Sequence, residues 1–367
     1  MEILYQYALE YDSSFAMAYV SLAQLYWHKY YWDTYYSEDF LDSVLILVNT
    51  ALSYDDQLSD AYRIQGDYFK RTSKVDQAIE EYNRAIEYNP NDWMSYMEMG
   101  WLFWPWDMVN MVATFHKAAS LCRGPELPEI LLSIAHVLRQ TGFVEESISL
   151  NRQALTLNGD SAAYYENLAR SELLIGNYER AIDFGERGFA IDTSRMTISI
   201  VLGTSYLYHG QYEQSLKFFE RYIENLKAIG EFDIYNMPQI GYCYWKNGLV
   251  EEAEFYFDEQ IKYYEEMIKL NRLSRETWVY YDVAAVYAFR GQNDEALKSL
   301  EIRNEWDVFV LQSIMQINND PLFNNIRDEP EFQQIVKDIE AKYQAEHERV
   351  RKWLEENQRN GLYLSFN

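Results

Sequence analysis

Proline and glycine are scarce in this chain, 7 and 15 among 367 residues. An all-β protein needs many tight turns, so the scarcity argues against sheets and suits long helices. Cysteine is scarcer still. Cys122 and Cys243 lie far apart inside helical patterns, which gives no disulfide framework and reads as two small buried thiols. Long apolar runs are missing: the densest, Val44-Leu45-Ile46-Leu47-Val48, falls far short of the roughly 18 residues that a membrane span needs. The opening residues Met1-Glu2-Ile3-Leu4-Tyr5, followed by Glu10 and Asp12, lack the basic start and apolar stretch of a signal peptide, and none is expected. Positive charge is deficient as well. Lys and Arg number 32 against 58 Asp and Glu, a formal net charge of -26. Such a field repels phosphate backbones, so direct binding of nucleic acid is not expected.

Catalytic motifs are also lacking. His28, His116, His136, His209 and His347 form no His-Glu-x-x-His arrangement and no zinc spacing with the cysteines. No phosphate loop, Gly-x-Gly-x-x-Gly or Gly-x-Ser-x-Gly occurs. Adjacent acids such as Glu251-Glu252 and Glu265-Glu266 diverge on a helix and read as solvated faces. The expectation is a non-enzyme with no cofactor and no metal.

What the chain does contain is apolar surface, 48% of its residues, arranged with a period. Five glycines, Gly142, Gly176, Gly210, Gly248 and Gly291, are spaced by 34, 34, 38 and 43 residues. Five positions after each stands a small residue: Ser147, Ala181, Ser215, Ala253, Ala296. Seven positions before each stands another: Ala135, Ala169, Gly203, Gly241, Ala284. Glycine takes the left-handed conformation that ends one helix and reverses the chain. The small residues mark where two antiparallel helices come closest.

The clearest unit spans 59–92. It carries Tyr62, Gly66 and Phe69 on a first helix, Ala78, Tyr82 and Ala85 on a second, and Pro90 at its close. This resembles the tetratricopeptide repeat, whose consensus has those residue types at those offsets. The resemblance implies an all-α fold, a right-handed α-solenoid of about eight helix-turn-helix repeats over residues 1–318. The second-helix small position falls at Val44, Ala78, Met111, Ser147, Ala181, Ser215, Ala253 and Ala296. Val44, Met111, Gly185 and Gly188 depart from the pattern. Extra residues separate the first two helices around 30–42, a long second helix is expected over 251–270, and Pro105 should stop the first helix of the third unit.

Met1 falls mid-way along a second helix, which reads either as a cap or as the tail of a longer protein. The stretch from Asp320-Pro321-Leu322-Phe323 to Pro330-Glu331-Phe332 resembles the close of repeat arrays in CadC-like membrane-bound activators, nucleotide cyclases and sensor-type regulators of bacteria. It implies a sensory or partner-binding module. Residues 319–358 then read as a linker and a helix from Pro330 to about 356, and 359–367 as a tail. The stripe Phe332, Val336, Ile339, Tyr343, Val350, Trp353 would cover the last repeat. Alternatively it would pair with a second copy as a homodimer.

In the tetratricopeptide family, first helices line the inner groove. Carried over, the groove positions include Arg63, Lys70 and Arg71; Trp101 and Trp104; His136 and Arg139; Arg170; Tyr208; Tyr242, Trp245 and Lys246; and Trp278 and Tyr281. Basic residues outnumber acidic ones there, and aromatics supply contact area at low entropic cost. The partner implied is a protein or peptide of apolar and acidic character. A clamp for chaperone C-termini is disfavoured, because Asp67 follows Arg63 and would repel a carboxylate. The resulting reading is the sensor or scaffold part of a bacterial signalling system, in the cytoplasm, or in the periplasm if the chain is the distal part of an anchored regulator. A self-standing adaptor is the alternative, and a helical-hairpin enzyme a more remote one.

Overall fold

The computed structural model describes residues 1–29, 38–228, 237–269 and 278–359. Among them every regular element is helical. A single helix, α1 (Glu2–Tyr11), comes first. Eight hairpins follow: α2 (Ala16–His28) with α3 (Glu38–Tyr54), α4 (Ser59–Arg71) with α5 (Val75–Tyr88), α6 (Trp93–Leu102) with α7 (Met108–Leu121), α8 (Leu127–Gln140) with α9 (Val144–Asn158), α10 (Ser161–Leu174) with α11 (Tyr178–Ile191), α12 (Met196–Tyr208) with α13 (Tyr212–Ala228), α14 (Met237–Lys246) with α15 (Val250–Lys269), and α16 (Trp278–Phe289) with α17 (Asn293–Asn304). After them come α18 (Leu311–Asn319), a single 3-10 turn at Pro321–Phe323, and α19 (Pro330–Arg359). The insertion expected around 30–42 lies mostly outside the described residues, as do Leu270 and the tail from 360 on.

The local causes are visible at six of the hairpins. Gly142, Gly176, Gly210, Gly248 and Gly291 all have φ between 76° and 90°, the left-handed turn that L-residues avoid. In the second hairpin Ser73 holds that place with φ 59°. In the hairpins that have glycine where the two helices cross, an aromatic ring lies on a residue without a Cβ. A Cβ on Gly203 would stand 2.8 Å from the Phe219 ring, and one on Gly241 2.8 Å from Phe257. Both rings have no exposed surface.

The unusual positions have physical explanations. Val44 and Met111 are fully buried and fill the space that alanine leaves elsewhere. Gly185 and Gly188 on α11 make room for the next first helix, since Cβ atoms there would meet Leu202 at 2.6 Å and Ile198 at 2.7 Å. Helix α6 ends at Leu102, before Pro105, whose bond to Trp104 is cis.

The chain divides into two compact bodies, Met1–Ile130 and Leu131–Asn360. In the first, α1 packs on α2, and Glu2 accepts hydrogen bonds from Lys29 Nζ (2.5 Å) and Tyr26 Oη (3.0 Å). In the second, α19 lies on α17 and α18. Phe332, Ile335, Val336 and Ile339 join a core containing Phe323 and Leu300. Further along α19, His347 stacks on Phe143 at 4.5 Å, and its Nδ1 lies 2.6 Å from the Thr141 carbonyl oxygen. The helix therefore reaches back to the turn between α8 and α9. Most of its apolar stripe is buried within the chain, with Trp353 half-buried, and so is Glu346, which pairs with Arg349 at 2.6 Å. Most of the seam offered for a second copy is thus occupied within the chain, which favours the capping alternative and leaves the homodimer expectation without support. Among the described residues no helix is long and apolar enough to cross a membrane.

Candidate partner-binding face

The first helices of the second body, α8, α10, α12, α14 and α16, share one inner face, and α18 lies on it. Gln140 at the end of α8 donates from Nε2 to Gln312 Oε1 at 3.1 Å, and the Gln312 amide returns a bond to Gln140 Oε1 at 3.2 Å. Met315 packs among Leu173, Leu174 and Val201. The chain then turns inward at Asp320, which has no exposed surface. Its carboxylate accepts from Gln239 Nε2 (2.8 Å), Tyr281 Oη (3.1 Å) and the Leu322 amide (3.0 Å). Phe323 meets the Tyr281 ring edge-on at 5.1 Å. A face of the kind expected to hold a partner thus holds a segment of the same chain.

Beneath α18 the face leaves a cavity of about 120 Å³. His136, Arg139, Arg170 and Tyr208 line it on the repeat side; Gln312, Met315 and Gln316 line it on the α18 side. Burial, with the charges of Arg139 and Arg170, pushes the His136 imidazole down to about 3, so it is neutral. Its Nδ1 accepts from Arg139 Nη2 at 3.3 Å. Arg139 is only 3% exposed. Burial and the neighbouring Arg170 push it down to about 9. Arg170 is neutralised by Glu166 at 3.0 Å, a carboxylate that Arg195 (3.4 Å) and Thr197 (2.9 Å) also approach.

Tyr242, Trp245 and Lys246 form a second cluster at the end of α14. Trp245 stacks on Tyr242 at 5.9 Å and meets Phe289 edge-on at 5.1 Å. The Lys246 ammonium lies 5.1–5.4 Å from the centres of Tyr212, Tyr242 and Trp245. Trp245 and Lys246 are exposed, whereas Tyr242 is buried. Trp278 stacks on Tyr263 at 5.8 Å. Tyr281 is buried under Asp320 and Phe323 and presents little free surface.

In the first body Arg63 departs from its expected part. It is buried among Asp60 (3.2 Å), Asp67 (3.7 Å) and Asp92 (3.9 Å), so its charge is neutralised inside rather than offered to a partner. Burial, reinforced by Glu98, holds the Asp67 carboxyl well above the usual range despite Arg63, and Asp67 accepts from Tyr82 Oη at 2.7 Å. Lys70 pairs with Glu98 at 2.6 Å. Lys70, Arg71, Trp27 and Glu98 line a shallow depression. Trp101 is half-buried on Phe115 (5.2 Å), and Trp104 is half-buried beside Pro105.

Sequence reasoning placed His136, Arg139, Arg170 and Tyr208 on one face, and the structure brings these together around the cavity with Gln140, Leu173, Leu174, Ile200 and Thr204. It missed Gln239, Gln312, Met315 and Asp320. Asp320 was noticed for its motif, but no local signal says that a segment 172 residues distant folds onto α8.

Models of the tetratricopeptide repeat match residues 57–92, 132–192 and 239–267. The chain is a tetratricopeptide-repeat protein. Such repeats bind protein partners, and this one is a protein-interaction module. Of the solved structures similar to this tetratricopeptide protein, the APC/C hetero-tetramer Cut9-Hcn1 is 14% identical over 90% of this chain and 56% of its own, with a TM-score of 0.51. This chain therefore spans little more than half of that relative, and the likeness shows the fold alone. MamA is 19% identical, covering 48% of this chain and 98% of its own at a TM-score of 0.37. PilF of Pseudomonas aeruginosa is 11% identical, covering 72% and 98% at 0.40. No curated protein matches the sequence.

Proposed function

We propose that this tetratricopeptide protein binds a helical or extended partner segment on the inner face of its first helices, as the sensing or scaffolding part of a bacterial signalling system. One observation carries the binding reading. The face of the second body holds α18 and the turn after it through apolar side chains (Met315, Phe323) and through the amide exchange between Gln140 and Gln312. A surface that accepts one amphipathic segment through so small a set of anchors accepts a similar one in trans by exchange. The signalling role rests on the ending at 320–332, which resembles those of bacterial regulators.

The test uses a labelled peptide of residues 311–323 and a full-length Gln312→Ala/Met315→Ala variant, in which the internal copy is loosened. Fluorescence anisotropy should rise on adding the variant and stay flat with the parent. A variant that keeps its helical circular dichroism yet leaves the peptide free would remove the basis for the reading.

A further inference from the structure

Arg139 has no carboxylate partner among the described residues, although it is almost wholly buried. Among the described residues two of its five N–H groups meet an acceptor: Nη1 donates to Asn167 Oδ1 at 3.1 Å and Nη2 to His136 Nδ1. Its Nε is buried with no acceptor at all. An unpaired buried guanidinium is among the costliest groups a fold can hold. The nearest acid, Glu166, is held by Arg170, Arg195 and Thr197. Asp320 is held by Gln239, Tyr281 and a backbone amide. Neither forms an ion pair with Arg139, although Glu166 lies close enough to favour its charge, so the guanidinium stands at the cavity wall with hydrogen-bonding capacity to spare.

The rest of the lining says what would supply the missing acceptors. Gln312 and Gln316 on one wall and Thr204 on the other offer neutral hydrogen-bonding groups, while Leu173, Ile200 and Met315 are apolar. A hydrated tetrahedral phosphate would lose its water against those carbons. A carboxylate on a short aliphatic body suits both halves, with the guanidinium fork meeting its two oxygens. A space of about 120 Å³ holds several waters or one small acid, and no polypeptide while α18 is in place.

We propose that this cavity is a binding site for a small aliphatic monocarboxylate, with Arg139 as its counter-charge and α18 as its outer wall. The site goes beyond partner binding and does not depend on it. Because Gln312, Met315 and Gln316 close the cavity, the ligand holds α18 on the face, and occupancy slows hydrogen exchange across 311–319.

The experiment is calorimetry on the full chain with sodium butyrate, set against butyramide, sodium phosphate and sodium chloride. Butyrate should bind one saturable site, with butyramide and phosphate weaker by about tenfold or more. Arg139→Gln should lose butyrate binding by a similar factor. Arg139→Met, which removes an unpaired buried charge, should melt higher than the ligand-free parent and show no further rise with butyrate. The proposal is overturned if butyrate gives no saturable heat, if phosphate binds more tightly, or if parent and variants respond equally. It is also overturned if Arg139→Met fails to fold, because the guanidinium would then be structural. Peptide exchange enters none of these readouts, so the two readings fail separately.

Discussion

Single residues explain much of this protein by what they leave out. Six of the hairpin turns place a residue in the left-handed conformation, and five of these use glycine. The second uses Ser73, with φ 59°. An L-residue in that conformation costs about 1–2 kcal/mol. Glycine recovers that cost but adds chain entropy to the unfolded state, worth about 0.4–1 kcal/mol. The balance favours glycine, so Ser73→Gly should stabilise the protein by about 0.5–1 kcal/mol in urea unfolding. A variant no more stable than the parent would mean that the hydroxyl's own contacts outweigh the strain. Gly203 shows the opposite logic, because its conformation is helical and alanine would be the better helix former. There the ring of Phe219 decides, with no room for a methyl group.

At the scale of elements, the hairpins were legible and the occupant of the face was not. A hairpin is specified by contacts within about 34 residues: a turn glycine, two small residues and an aromatic between them. Those columns appear in any reading of the chain. Helix α18 has no such signature. It is held by Gln140, Leu173 and Val201, residues more than a hundred positions away, and by Asp320, whose burial no local pattern announces. Face positions were legible for the same reason as the hairpins, since period alone assigns them. Burial was not: Arg63 and Arg139 fall where a groove cation belongs, yet both are enclosed. The element-scale consequence concerns Asp320. Asp320→Ala would leave the Gln239 amide and the Tyr281 hydroxyl buried without an acceptor, at a cost of about 2–3 kcal/mol. Asp320→Asn keeps an accepting oxygen and should cost less. Thermal melts of the two variants, with hydrogen exchange over 311–319, check this; equal losses would mean that the carboxylate's charge matters more than its acceptors.

For the whole molecule the governing quantity is the net charge of -26. Self-repulsion of that size opposes any compact state and weakens as carboxylates take up protons. Specific groups push the same way. Burial raises Asp67, Glu81 and Asp320 above their ordinary range. A carboxyl raised in the folded state holds its proton where the unfolded chain has already lost it. Each such group therefore adds stability as pH falls from neutral towards the unfolded value near 4. Glu2, lowered by Lys29 and Tyr26, acts in reverse, and its contribution disappears only below that range. It is only half-buried, so screening reduces its weight. The sum predicts a melting temperature higher at pH 5.5 than at pH 8 in low salt. Raising the salt concentration should narrow the gap, because it screens the diffuse repulsion but not the buried carboxyls. Asp67→Asn should flatten the part of the slope that survives in high salt. A melting temperature that falls on acidification from pH 8 to 5.5 would show that ion pairs such as those of Arg195 and Arg290 outweigh both the net charge and the buried acids.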